Sequence, residues 1–162
     1  MSTIQFGDVI ASLLSLLDVS RCNDETKSHQ IIGLKLLRKI VEVVNPEEVT
    51  PAADWDNEEW EAVEAQVEVT QNLLVSHGCA KFLCRHLSDC SYLDVNNESI
   101  LVSIALLLGG NGNAQEEFLQ YMIEEDESNK LLIQIKDMLV TSFAGLKDII
   151  ISQNIRLESV AR

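Results

Sequence analysis

Proline is nearly absent from this chain, two in 162 residues, and glycine is sparse at seven. Helix interiors exclude proline, and few turn signals interrupt the chain, so the shortage favours long helices. Aromatic residues make up 5% of the sequence, which leaves an aliphatic core. Basic residues are scarce as well: 12 Lys and Arg stand against 26 Asp and Glu, a net charge of -14, with no basic stretch denser than Lys35, Arg38 and Lys39. Phosphate backbones and anionic membrane faces attract Lys/Arg clusters, so nucleic acid and membrane surfaces are not expected partners. Long apolar runs are missing too. The run 100–108 falls far short of the roughly 20 residues a bilayer needs, and the carboxyl-terminal pattern is broken by Lys136-Asp137 and Lys147-Asp148, so no membrane insertion is expected. The four cysteines, Cys22, Cys79, Cys84 and Cys90, follow no disulfide-scaffold or zinc-ribbon spacing, and no basic segment precedes the first apolar stretch. A reducing, cytoplasmic location is the expectation.

What is present is 46% hydrophobic residues in a length suited to one domain, which buries roughly 70% of the surface its unfolded chain exposes without needing a disulfide or metal. The spacing predicts six or seven helices in a single α-helical domain over 1–162. The first, over 4–17, sets Val9, Ile10, Leu13, Leu14 and Leu17 on one side. Asn23 or Asp24 caps a second that carries Ile31, Leu34, Leu37, Ile40, Val41 and Val44 and stops before Asn45-Pro46. An acidic, proline-containing linker follows near 45–57. A third helix over 57–76 carries Trp60, Val63, Val67 and Leu74 and ends at His77-Gly78, and a short one spans 80–87. A polar turn over 92–97, with Asn96 or Asn97 as cap, leads into the apolar run. A final long pattern over 128–155 sets Leu131, Ile135, Met138, Leu139, Phe143, Leu146, Ile149 and Ile150 at helical spacing, with Gly145 in its middle to bend or split it.

The most informative segment is 98–122, ESILVSIALLLGGNGNAQEEFLQYM. Its apolar run ends at Gly109-Gly110-Asn111, and Gln115, Phe118, Leu119 and Met122 then share one helical face. This reads as two packed helices joined by a tight corner. At least one glycine should adopt positive φ, the missing side chains should let the next helix approach closely, and Asn111 or Asn113 should cap it. The wholly apolar helix before the corner looks like a central one, covered on nearly all sides. The order of corners over 74–122 resembles one armadillo-type repeat, so the expected fold is all-α, an armadillo-like right-handed helical solenoid whose flanking helices cap the repeat.

The residues Glu98, Ser99, Ile100, Leu101, Ile104, Ala105, Leu106, Leu107, Gly109, Gly110, Asn111, Gln115 and Phe118 resemble a motif in the middle cytoplasmic region of inositol trisphosphate and ryanodine receptors, the intracellular calcium-release channels. The block from Leu36 through Arg38 and Lys39 to Glu42 resembles the leucine-arginine-lysine helix that precedes the motif in those families. Leu108 and Glu117 depart from the pattern, standing where the family has an acidic and a small polar residue. The resemblance implies a helical regulatory spacer between ligand-binding and pore regions, on the cytoplasmic face of the endoplasmic reticulum, whose partners are other domains or subunits of the assembly. No ligand site, pore or selectivity filter carries over, because no residues here match them. The alternative is a free-standing armadillo-type interaction scaffold.

No catalytic centre, metal or cofactor is expected. A P-loop needs Gly-Lys-Ser/Thr, which Gly109-Gly110-Asn111-Gly112 lacks, and a dinucleotide fingerprint needs glycine where Gln115 stands. His77, Cys79, Cys84 and His86 match no compact zinc spacing, and Cys84 and His86 two residues apart point in different directions on a helix. Residues 40–80 hold ten Asp and Glu and no Lys or Arg. Read as a calcium loop from Asp54, the sixth position is Glu59 and the twelfth Ala65, where glycine and a bidentate Glu are needed. Asp54, Asp56, Glu58, Glu59 and Glu61 are therefore expected to form a solvated acidic patch suited to a protein partner with a basic surface.

Overall fold

The computed structural model describes residues 6–42 and 57–160, with side chains described over 6–42 and 61–147 apart from Val63. Among the described residues the chain is all-α: α1 (Phe6–Leu16), α2 (Lys27–Glu42), α3 (Asn57–Ser76), α4 (Cys79–Asp89), α5 (Leu93–Leu107), α6 (Gly112–Glu124) and α7 (Lys130–Val160), with 3-10 turns at Val19–Arg21 and Leu108–Gly110. The expected linker near 45–57 and the stop before Pro46 lie almost wholly outside the described residues.

Two apolar clusters hold the helices. The larger joins Ile10 and Leu14 of α1, Leu34, Leu37 and Val41 of α2, Leu74 and Val75 of α3, Leu83 of α4, and Val95, Val102 and Leu106 of α5. The smaller joins Cys84 and Leu87 of α4 to Tyr121 of α6 and Leu131 of α7, and Phe118 packs against both. The helix pair α2 and α5 packs most extensively, with α4 between α5 and α7. Gly33 permits one close approach: a Cβ there would fall within 2.4 Å of Leu17 Cδ2.

Several helix starts are built from short polar side chains. Asn23 Oδ1 accepts from the Glu25 and Thr26 amides while Thr26 Oγ1 accepts from the Asn23 amide, a reciprocal cap leading into α2. Asp126, inside the acidic run 124–127, is buried and accepts from the Lys130 and Leu131 amides, so it starts α7 instead of facing solvent.

The structure corrects five expectations. The apolar helix is not covered on all sides: Val102, Ala105 and Leu106 are buried, but Leu101 is 39% and Ile104 53% exposed. A single buried stripe suffices because α2, α4 and α6 pack on one side of α5 and the described helices leave its outer side uncovered. The polar turn 92–97 is instead the start of α5. Asn96 is buried inside the first turn, where its Nδ2 donates to the Cys90 carbonyl at the end of α4. Gly145 does not split the last helix, because helical hydrogen bonding tolerates one glycine at a cost of about 1 kcal/mol. Val9, Leu119, Leu139, Phe143 and Leu146, placed on buried faces by spacing, are between 49 and 70% exposed, since no described element lies against those sides. Finally, the side chains of Gly109 and Gly110 are not missing to make room, as a Cβ at either meets nothing within 4 Å.

Candidate functional site

The helix α2, with Arg38 and Glu42, and the helix α5, with Glu98, meet through a group of charged side chains. Arg38 Nη2 lies 3.7 Å from Glu98 Oε2, and Arg38 Nε lies 3.3 Å from Glu42 Oε1. Lys39 Nζ reaches Glu42 Oε2 at 2.6 Å, and Lys35 Nζ stands 4.0 Å from Glu98 Oε1. Arg38, Glu42 and Glu98 are each largely buried, with side-chain exposures of 21, 16 and 14%, which sets this group apart from surface pairs that contribute little. Removing Arg38 would leave two partly desolvated carboxylates without their shared cation. Ser99 does not join the group: its hydroxyl donates to the Val95 carbonyl one turn back.

At the other end of α5, Gly109 and Gly110 both take left-handed backbone, φ 74 and 80, which turns the chain sharply into α6. Asn111 Oδ1 then accepts from the Ala114 amide at 2.8 Å, capping α6. Its Nδ2 donates to Gln71 Oε1 at 3.1 Å and to Asn72 Oδ1 at 3.0 Å, both on α3. Gln71 Nε2 in turn donates to the carbonyls of Ala105 and Leu108, each at 2.9 Å, which are freed by the end of α5. Asn113 Nδ2 adds a bond to Asn72 Oδ1 at 2.9 Å. Both amides of the buried pair Gln71 and Asn111 are thereby satisfied, and three helices are tied at one corner. Gln115 is exposed and takes no part, while Phe118 supplies the apolar floor below.

Gln71 and Asn72 were not singled out from the sequence. The available signal was Gln71 occurring on the same face as Val67 and Leu74, an unusual choice for a buried helical position. A second polar element is the fully buried His86, weighed from the sequence only against zinc and nucleophile roles. Its Nε2 donates to Gln30 Oε1 at 3.2 Å, and Gln30 Nε2 donates onward to the Asp18 carbonyl. Burial pushes His86 down to about 4, against the opposing influence of the Phe82 backbone and the Asp18 carboxylate, so the ring is neutral at physiological pH.

Of the expected acidic patch, Asp54 and Asp56 lie outside the described residues. Glu58 and Glu59 fall on the first turn of α3 with side chains not described, and Glu61 is exposed. No group of three or more metal-ligating side chains occurs among the described residues. Cys79 and Cys84 are buried, with thiols pushed up to about 12 by burial. His77 Nδ1 pairs with the Leu73 carbonyl at 2.8 Å. A polar cleft of about 460 Å³ lies between α6 and the α3–α4 corner, lined by Asn72, Ser76, Asn113, Glu116, Glu117 and Gln120 among others. At the carboxyl end of α6, Glu125 bridges Lys81 at 2.8 Å and Arg85 at 3.1 Å, and these bonds hold its carboxyl below the usual carboxylate range.

Residues 93–110 form a helical window long and apolar enough to cross a membrane by length and composition, although its buried side is packed within the fold. Comparison with known protein families, curated proteins and solved structures returns no match for this chain.

Proposed function

We propose that this chain is a non-catalytic regulatory and interaction module of the cytoplasmic assembly of an intracellular calcium-release channel, at the endoplasmic reticulum. It would act by helix packing, with an armadillo-like right-handed solenoid arrangement. Its partners would be other domains or subunits, without nucleic acid and without insertion of this chain into the bilayer. The observation that carries the reading is the meeting of the two family-like blocks. The leucine-arginine-lysine helix and the Glu98 helix lie about sixty residues apart in sequence, yet Arg38 reaches Glu98, while the Gly-Gly-Asn corner of the same motif is bonded to α3.

The test is functional. The gene product carrying this chain is expressed in cells whose release of stored calcium is followed with a luminal indicator, beside an Asn111→Ala, Gln71→Ala double variant. Altered agonist-evoked release in the variant, with the protein fractionating with reticulum membranes, supports the reading. Unchanged release together with a purely soluble distribution overturns it and favours the free-standing scaffold. That second reading draws on the exposed apolar row Leu132, Leu139, Phe143 and Leu146 along α7, a surface suited to helix packing in either setting.

A further inference from the structure

The sulfurs of Cys22 and Cys90 lie 3.8 Å apart although the residues are 68 positions apart in sequence. Each sits at a helix end in extended backbone: Cys22 closes the 3-10 turn Val19–Arg21 at φ -79, ψ 115, and Cys90 closes α4 at φ -83, ψ 130. A disulfide needs sulfurs at about 2.05 Å, so both side chains have to close by less than 2 Å, at positions free of the rotamer limits of a helix interior. Cys22 is partly exposed and Cys90 buried beneath it, the arrangement of an attacking thiol with a resolving one. Cys79 and Cys84, in contrast, are closed off inside α4.

We propose that Cys22 and Cys90 form a reversible redox site that takes a small-molecule disulfide such as glutathione disulfide as its oxidant, independently of the channel reading. The Cys22 thiolate attacks one sulfur of that disulfide, forming a mixed disulfide and releasing one small thiolate. Cys90, losing its proton, then attacks Cys22 Sγ and expels the second small thiolate. The two protein thiols give up two electrons and two protons, and the oxidant becomes two small thiols. Cys22 lies just before α2 and Cys90 just before α5, so the bond staples the entry to the most extensively packed helix pair in the fold. Burial and the neighbouring Cys90 push the Cys22 thiol up to about 11, so the exchange is slow at neutral pH and depends on the ratio of oxidised to reduced small thiol.

The full chain is titrated against glutathione disulfide at rising ratio to glutathione, and followed by intact mass, peptide mapping and thermal unfolding. The expected product has lost two hydrogens, yields one linked peptide pair joining Cys22 to Cys90, and melts several degrees higher, on the order expected when a long loop is closed. Reduction reverses all three. Cys22→Ser, at a partly exposed position that leaves the core intact, should abolish the bridge and the rise in melting temperature, while Cys79→Ala or Cys84→Ala retains the bridge. A stable glutathione adduct on Cys22 that Cys90 does not resolve overturns the proposal, as does a linked pair involving Cys79 or Cys84, or no reaction at any ratio.

Discussion

At Asn111 a single side chain does two separable things. Its oxygen caps α6 through the Ala114 amide, and its nitrogen satisfies acceptors on Gln71 and Asn72. Asn111→Asp keeps the first and loses the second, whereas Asn111→Ala loses both. Denaturant unfolding is expected to rank the alanine variant as the less stable, by about 1 kcal/mol for the cap, with both well below the parent because Gln71 is left short of a partner. Equal stability of the parent and the aspartate variant would show the α3 bonds to be dispensable. His86 makes a pH prediction. Its folded pKa lies below the ordinary 6.5, so folding favours the neutral ring, and that stability is fully present above about 6.5 and lost as pH falls toward 4. The gap amounts to at most about 3 kcal/mol. Unfolding curves taken across this window should show a fall that is missing in His86→Gln, once the carboxylate contribution common to both proteins is subtracted.

At the scale of one helix, α5 separates hydrophobicity from burial. Leu106→Ala removes a fully buried side chain and should cost about 2–5 kcal/mol, while Ile104→Ala, at a 53% exposed position, should cost well under about 1 kcal/mol. Comparable losses at both positions would mean that something covers the outer face in solution. The corner after α5 behaves differently again. Gly109 and Gly110 have open space for a side chain but left-handed backbone, so Gly110→Ala should cost about 1 kcal/mol through φ alone, and Gly110→Asn, which tolerates that region, less. A melting temperature lowered equally by both would place the cost in contacts instead of backbone.

For the whole molecule, charge is the dominant property, at -14 net. The described acidic side chains are in part internally paired: Glu98 and Glu42 with the α2 cations, Glu125 with Lys81 and Arg85, Asp89 with Lys130. With the ten acidic residues of 40–80 lacking the glycine and bidentate Glu of a calcium loop, calorimetric titration with calcium is expected to show no saturable site tighter than about millimolar. A stoichiometric micromolar isotherm would make that segment a sensor and not a patch.

Helical periodicity and turn chemistry are local, and they were legible residue by residue. The bounds of α3, the left-handed glycines at 78 and 109, and the Asn111 cap follow from side chains acting within four positions of themselves. The meeting of α2 with α5, the Gln71 bonds to Ala105 and Leu108, the His86–Gln30 pair and the approach of Cys22 to Cys90 join residues from 34 to 68 positions apart, and no local pattern encodes such distances. Which apolar residues are buried also belongs to the tertiary structure. Ile104 and Leu106 are chemically alike and two residues apart, and only the position of α2, α4 and α6 on one side of α5 decides that Leu106 enters the core while Ile104 faces outward.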